Sequence, residues 1–290
     1  MTGDPFVAHR GLLFTVAYEM LGSAVDAEDV VQETWLRWAG VDQAEVQDAR
    51  AYLVRIVTRQ TLNRLRTLAR RREEYVGDWL PEPLLTSPDV ADDVVFAESV
   101  SIAMLTVLET LGPAERAVFV LREVFDLPYE EIAEAVGKTT ASVRQIAHRA
   151  RDHVAARRPR VRVDRTEQRL AVERFLAAIN TGDMQGLLEV LAPDVVLVSD
   201  SGGVVPAARR PIVGANKLVA FLGAGLRRLS VVLSGTQVWL NGAPGARLDV
   251  DGRVAAALSL AVENGRITRI YAIVNPHKLA RLHAEATLTR

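Results

Sequence analysis

The stretch "LPYEEIAEAVGKTTASVRQIAHRARDHV", residues 127–154, decides how the N-terminal half of this chain is read. Pro128 stands where the first turn of a helix needs no N–H. Ile132, Ala133 and Val136 recur on one helical face, and Gly137 supplies the stop. Thr139 or Thr140 can cap a second helix whose inward positions are Val143, Ile146, Ala147, Ala150 and Val154. Two short helices so joined have helix-turn-helix spacing. The outward face of the second carries Ser142, Arg144, Gln145, His148, Arg149 and Arg151. Such donors can reach phosphates and purine edges in a DNA major groove. An ordinary helical hairpin with a basic outer face would show the same pattern.

The charge along the chain supports the first reading. The net charge of −1 over 290 residues hides four blocks. Residues 22–49 carry −6, 50–72 carry +8, 80–135 carry −10 and 138–162 carry +7. Solvated surfaces usually mix their signs, so two separate arginine-rich blocks suggest two footprints on phosphates. There is no cysteine, which excludes disulfides and thiolate metal sites. No basic segment leads into an apolar core at the N-terminus, and no apolar run reaches about 18 residues. A cytoplasmic protein that neither crosses nor anchors in a membrane is expected.

Upstream of the hairpin the periodicity is helical throughout. "FVAHRGLLFTVAYEML" closes at Gly22, and "DAEDVVQETWLRWA" opens on Asp26, a residue able to cap it. "ARAYLVRIVTRQTLNRLRTLARRREEY" has Leu53, Ile56, Val57, Leu65 and Leu68 on one side. Arg55, Arg59, Asn63, Arg66 and Arg70 form a stripe on another, with no acid among them. Residues 78–92 hold Pro81, Pro83 and Pro88 and read as a linker containing the rigid, apolar "WLPEP". Helices resume with "AESVSIAMLTVLETLG" and "PAERAVFVLREVFD".

Beyond "PRVRVDRTEQ", a second linker, the character changes. One helix presents Val172, Phe175, Leu176 and Ile179, and β-branched runs follow, punctuated by Asn241-Gly242, Asp251-Gly252 and Asn264-Gly265. A helix near 214–228 interrupts them. Helices followed by a curled antiparallel sheet make an α+β domain.

These blocks carry a resemblance. "YEMLGSAVDAEDVVQETWLRW" with the arginine helix resembles region 2 of a bacterial sigma factor, and "LETLGPAERAVFVLREVFDLPYEEIAEAVGKTTASVRQIAHRAR" resembles region 4. Their order, without further regions, is that of the extracytoplasmic-function group of the sigma-70 family. The C-terminal part resembles the cone-shaped SnoaL-like domain of the nuclear-transport-factor superfamily. Three short signatures, "WLPEP" (79–83), "DSGGVV" (200–205) and "NPHKL" (275–279), resemble those of the SigJ-like group. Ser201, Val204 and His277 depart from that group's pattern.

The resemblance implies an all-α region 2 (1–77), a linker (78–96), a helix-turn-helix region 4 (97–158) and a regulatory SnoaL-like domain (159–290). It implies an alternative sigma factor, not an enzyme, without cofactor, metal or catalytic residues. Asp29, Val30, Gln32, Glu33 and Leu36 match the segment that grips the β′ clamp helices of core RNA polymerase, whose β subunit is also an expected partner. Arg55, Arg59, Asn63 and Arg66 match contacts to the minus-ten element, where a base is flipped out of the duplex. Ser142, Arg144, Gln145, His148, Arg149 and Arg151 would face the minus-35 element. Trp79, Leu80, Pro81, Glu82 and Pro83, with Asp200, Gly202, Gly203, Asn275, Pro276, Lys278 and Leu279, would form regulatory contacts between the C-terminal domain and the linker or region 2.

Two other readings compete. A DNA-binding regulator with a ligand-sensing domain leaves residues 6–72 without a purpose. A SnoaL-type enzyme fused to a helical domain would place Asp200, Trp239, Asn241 and His277 in a pocket. The plainer alternative makes 200–203 a turn and Trp239 core. Trp79 is either a handle for the C-terminal domain or a cap on the region 2 core. "GKT" at 137–139 lacks a phosphate loop's glycines, "DVDG" at 249–252 lacks a later bidentate acid, and His148 and His153 lie on different helix faces.

Overall fold

A computed structural model describes residues 4–91, 93–157, 164–228 and 233–290. The side chain of Arg70, residues 159–163 of the expected second linker and residues 230–232 of the third β-branched run lie outside the described residues. The chain divides into two compact units. Met1–Glu74, Met104–Arg158 and Thr287–Arg290 make the first, and Tyr75–Ala103 with Pro159–Ala286 make the second.

The first unit is helical. Asp4 caps α1 (Pro5–Leu21) by accepting the Phe6 N–H at 2.9 Å. Gly22 ends it at φ +65°, a left-handed conformation in which its N–H reaches the Tyr18 carbonyl at 2.7 Å. Residues Leu12 to Leu21 of α1 are all buried, as suits a helix that is apolar nearly all round. Around it lie α2 (Ala24–Ala39) and α3 (Ala49–Glu73), which contribute Ala27, Val30, Val31, Trp38, Leu53, Val57 and Leu65. The cap of α2 is Ser23 rather than Asp26: its hydroxyl accepts the Asp26 N–H at 3.2 Å. Asp26 instead uses its carboxylate on Arg64, at 2.8 Å.

The same unit holds most of α5 (Ile102–Leu108), with α6 (Pro113–Phe119), a π-helical turn (Val120–Val124), α7 (Tyr129–Val136) and α8 (Thr140–Arg157). The expected single helix over "AESVSIAMLTVLETLG" is two, because the chain turns at Val100–Ser101 between α4 (Val94–Ser99) and α5. Arg116 on α6 is fully buried. Its Nε and Nη2 donate to the Glu19 carbonyl of α1 at 3.1 and 3.0 Å, and it pairs with Glu109. Burial pulls its guanidinium down to about 9, against the raising influence of Glu19 and Tyr18, so it stays cationic at neutral pH.

The second unit is α+β. Helices α9 (Arg165–Thr181), α10 (Met184–Val190) and α11 (Ala215–Arg228) accompany six strands: β1 (Leu191–Asp200), β2 (Ile212–Val213), β3 (Leu233–Leu240), β4 (Ala243–Val250), β5 (Arg253–Glu263) and β6 (Arg266–Ile273). The sheet order is β2-β1-β6-β5-β4-β3, open, with β2 and β3 at its edges. It is mixed rather than purely antiparallel, since β1 runs parallel to β6, Leu197 opposite Ile270. A parallel pair needs a long crossover, and here residues 201–265 supply it. The three Asn/Asp-Gly pairs make the hairpin turns: both residues of each have positive φ, as at Asn241 (+52°) and Gly242 (+73°).

Alternation sorts the sheet's side chains onto two faces. Val195, Leu197, Leu258, Leu260 and Ile270 pack against Val172, Phe175 and Leu176 of α9. Ala257, Tyr271 and Ile273 face the other way, into a cluster with Leu80, Ile102, Leu240, Leu279 and Leu282. Leu80 comes from the expected linker and Ile102 from the start of the expected region 4, so both furnish part of this core. Among the described residues no helix is long and apolar enough to cross a membrane.

Candidate functional site

In the α+β unit the three short signatures meet at one carboxylate. Asp200 ends β1 and is 0% exposed. Its Oδ1 accepts from the Tyr75 hydroxyl at 2.5 Å and from the Gly202 N–H at 3.1 Å. Its Oδ2 accepts from the Leu80 N–H at 2.8 Å and from Lys278 Nζ at 2.7 Å. The Asp200 carbonyl accepts from the Val274 and Asn275 N–H groups. Lys278 also donates to the Leu80 carbonyl and lies over the Trp79 ring, 4.0 Å from its centre. Asn275 caps α12 (Pro276–Leu279) through the His277 N–H and donates to the Tyr75 hydroxyl at 2.9 Å.

The geometry accounts for Gly202. Gly202 has φ +57°, and a Cβ there would stand 2.5 Å from the Asn275 amide nitrogen and 3.0 Å from the Tyr75 hydroxyl. Burial first, and then the hydrogen bond to Asp200, push the Tyr75 phenol above the ordinary tyrosine range, so it stays a donor. Tyr75 is the residue that sequence reasoning missed, since it lies just before "WLPEP" and has no periodic or motif signal of its own.

The rest of the segment is fastened too. The Leu84 N–H donates to Asn241 Oδ1, and the Asn241 N–H returns to the Leu84 carbonyl, both at 2.9 Å. Asn241 Nδ2 also donates to the Val100 carbonyl at 2.9 Å, the group freed by the break between α4 and α5. Leu85 makes isolated bridges to Leu240 and Glu285. Leu80, Pro81, Glu82, Pro83 and Leu84 are all buried, and Trp79 is half-buried. Of the remaining signature residues, Leu279 and Asn275 are buried, Lys278 and Gly202 are half-buried, and Gly203 and Pro276 are exposed.

The four residues placed in a pocket by the enzyme reading lie in different settings among the described residues. Asp200 and Asn241 are buried against the linker, Trp239 is half-buried and His277 is exposed. A cavity of about 710 Å³ does open beside the turn after β1, with Val76, Ser201, Val204 and Arg209 in its wall, and none of the four lines it.

In the helical unit Gln32, Glu33 and Leu36 lie exposed on α2, with Trp35 beside them 46% exposed. Val30 is buried in the unit's core, and Asp29 pairs with Arg64 at 2.6 Å. The arginine stripe on α3, acid-free in its own segment, finds a partner 79 residues away. Arg55 donates to the Glu134 carboxylate at 3.2 Å, and Arg59 donates to the Glu134 carbonyl at 2.8 Å. Asn63 and Arg66 are exposed and bond each other at 3.3 Å.

On α8 all five inward positions are buried, and Thr139 caps the helix by accepting the Ser142 N–H at 3.2 Å. Gly137 ends α7 at φ +69°. Arg144, Gln145, His148, Arg149 and Arg151 are exposed and Ser142 half-buried. His148 pairs with Asp152 at 2.9 Å, and Arg151 with Glu123 at 3.6 Å.

The helical unit thus holds a helix-turn-helix, α7 and α8, with a donor-rich outer face on α8, and a second arginine-rich helix, α3. The family model for Sigma-70 region 2 matches residues 6–71, and that for Sigma-70, region 4 matches residues 101–154. The chain is 39% identical to the ECF RNA polymerase sigma factor SigJ of Mycobacterium tuberculosis, over 96% of this chain and 93% of that protein. It is 35% identical to the probable ECF RNA polymerase sigma factor SigI of the same organism, over 96% and 94%. The crystal structure of M. tuberculosis SigJ superposes with a TM-score of 0.74 at 35% identity, covering 95% of this chain and 97% of that one. The chain belongs to the extracytoplasmic-function sigma factors of the sigma-70 family. It is an alternative sigma factor for transcription initiation, with core RNA polymerase and promoter DNA as partners and a C-terminal α+β extension.

Proposed function

We propose that the C-terminal domain regulates this sigma factor in cis by holding the linker between its two promoter-binding regions. The observation that carries the reading is the linker's attachment. The Leu80 and Leu84 amides spend their hydrogen bonds on Asp200 and Asn241, while Leu80 sits in the domain's own core. A segment so held lacks the freedom to extend along polymerase, so its release is the regulated step. Pro81 and Pro83 keep it extended, which limits the entropy lost each time it docks. Trp79 is then a handle gripped by Lys278.

In this reading residues 1–77 act as region 2, 78–96 as linker, 97–158 as region 4 and 159–290 as regulator. Asp29, Gln32, Glu33 and Leu36 meet the polymerase clamp, with Val30 supporting their helix from beneath. Arg55, Arg59, Asn63 and Arg66 meet the minus-ten strand, and the outward residues of α8 meet the minus-35 duplex. The C-terminal domain acts by contact rather than catalysis. Each Asp200 oxygen already accepts two hydrogen bonds, which leaves no lone pair for a substrate's proton. The protein works where polymerase and chromosome are, in the cytoplasm.

Run-off transcription with core polymerase, from a promoter selected by the holoenzyme, tests the reading. Asp200→Ala should change transcript yield while core-polymerase binding stays the same. Unchanged yield, with faster amide exchange over 80–86 proving the linker loose, would overturn it.

A further inference from the structure

We propose that Tyr129 is a positioning residue for Arg144, holding its guanidinium at the angle from which it reads one guanine edge of the minus-35 duplex. The inference rests on reading α8 as the recognition helix. Tyr129 is the first residue of α7, directly after Pro128, which stands at the helix's N-cap. Two guanidiniums lie over its half-buried ring: Arg122 at 4.9 Å and Arg144 at 5.5 Å from the centre. Arg122 is itself anchored to the Leu127 carbonyl at 2.9 Å and to Asp126 at 3.0 Å. The ring therefore has one fixed cation contact, and offers its face to Arg144.

Arg144 sits in the second turn of α8, near the N-terminal end from which a recognition helix touches bases. Its side chain is 60% exposed, and a free surface arginine samples many rotamers. Reading guanine needs the planar fork aligned with O6 and N7 together. An aromatic face orients that plane without consuming any of its donors, because cation–π contact uses the face while hydrogen bonds leave from the edges. Glu130 takes one edge at 3.3 Å, an exposed contact that a base can displace. Ring and carboxylate thus hold Arg144 close to its reading position before DNA arrives.

The test uses the full chain bound to core polymerase and a duplex that this holoenzyme selects from a library randomised in the minus-35 region. Affinity is measured for that duplex and for each single-base change. Tyr129→Phe should behave as wild type. Tyr129→Leu should lose roughly two- to fivefold of discrimination at one base pair. Arg144→Ala should lose discrimination at that same pair, and Tyr129→Leu should add nothing to it in the double variant. The slope of affinity against salt should be unchanged by Tyr129→Leu, because no phosphate contact is removed. Uniform weakening across all sequences, or full additivity with Arg144→Ala, would overturn the proposal. If Arg144→Ala alone leaves every base pair equally discriminated, the reading of α8 fails first, and that is seen without any Tyr129 variant. Should Tyr129→Leu lower the melting temperature, Tyr129→Met keeps the packed volume without a ring and carries the same comparison.

Discussion

The Arg55–Glu134 pair of the helical unit and the Lys278–Asp200 pair of the α+β unit sit on opposite sides of the water boundary. The first is 3.2 Å long with side chains 35% and 67% exposed; the second is 2.7 Å long with side chains 13% and 0% exposed. An exposed pair contributes about 0–1 kcal/mol and is screened by salt. A buried pair adds little over apolar packing, yet losing one partner costs about 3–5 kcal/mol because the other charge is stranded. The arginine contact is therefore one that can exchange, and under the proposed function a DNA phosphate would take the place of Glu134. The aspartate contact is buried and shared among four donors, so breaking it exposes several groups to loss. One chain thus uses the same chemistry at an exposed, exchangeable contact and at a buried joint.

The largest effect should come from Asp200→Ala, which takes the shared carboxylate from Lys278, the Tyr75 hydroxyl and the Leu80 N–H at once. A loss of about 3–5 kcal/mol in denaturant unfolding is expected, with faster amide exchange over the linker. Stability within about 0.5 kcal/mol of wild type would break the distinction between the two pairs.

Lys278→Met should cost less, about 1–3 kcal/mol, because Asp200 keeps three donors. Adding Asp200→Asn to it should recover part of that loss in a double-mutant cycle. A purely additive cycle would mean the two side chains do not act as one node.

Trp79→Ala removes the ring beneath Lys278 and should cost about 0.5–2 kcal/mol. It should also alter run-off transcription; an effect on stability alone would reduce Trp79 to packing.

Tyr75 gives a pH handle on the same node. Its folded-state value is raised by burial and by the Asp200 hydrogen bond. The stability it contributes is therefore complete below about pH 10, the ordinary phenol value, and is lost progressively as pH rises from there through the higher folded one. In an ultraviolet titration, the phenol absent from Tyr75→Phe should be among the last to ionise. Its titrating with exposed tyrosines would mean the hydroxyl is not held.

The smallest effect belongs to Glu134→Gln. Stability should change by at most about 1 kcal/mol, and less at high salt. Binding of single-stranded minus-ten DNA by the free protein should improve up to about fivefold, the same energy expressed as affinity. A larger stability loss that salt does not reduce would show the two pairs to be of one kind.

Much of the fold was legible beforehand because its signals are local. The inward positions of α8, the left-handed ends at Gly22 and Gly137 and the three hairpin turns each follow from residues within a few places of one another. Where the reading slipped, a neighbour outside the local window had intervened. Asp26 looked like a cap until Ser23 took that role and Arg64 claimed the carboxylate. The arginine stripe looked unpaired because Glu134 lies 79 residues downstream. The sheet looked antiparallel throughout because only β1 and β6, far apart in sequence, run the same way.

The sequence by itself determined that this is a helical part with two arginine-rich blocks followed by an α+β domain, since helical period, strand period, turn chemistry and charge blocks are written residue by residue. It also marked three short motifs, which the family resemblance related as regulatory contacts without giving their geometry. Only the tertiary structure decided that they close on Asp200, and that "WLPEP" is core rather than spacer. Tyr75, Leu80 and Lys278 stand 125, 120 and 78 residues from that carboxylate. No periodicity reaches so far, and a buried charge selects its partners by geometry alone.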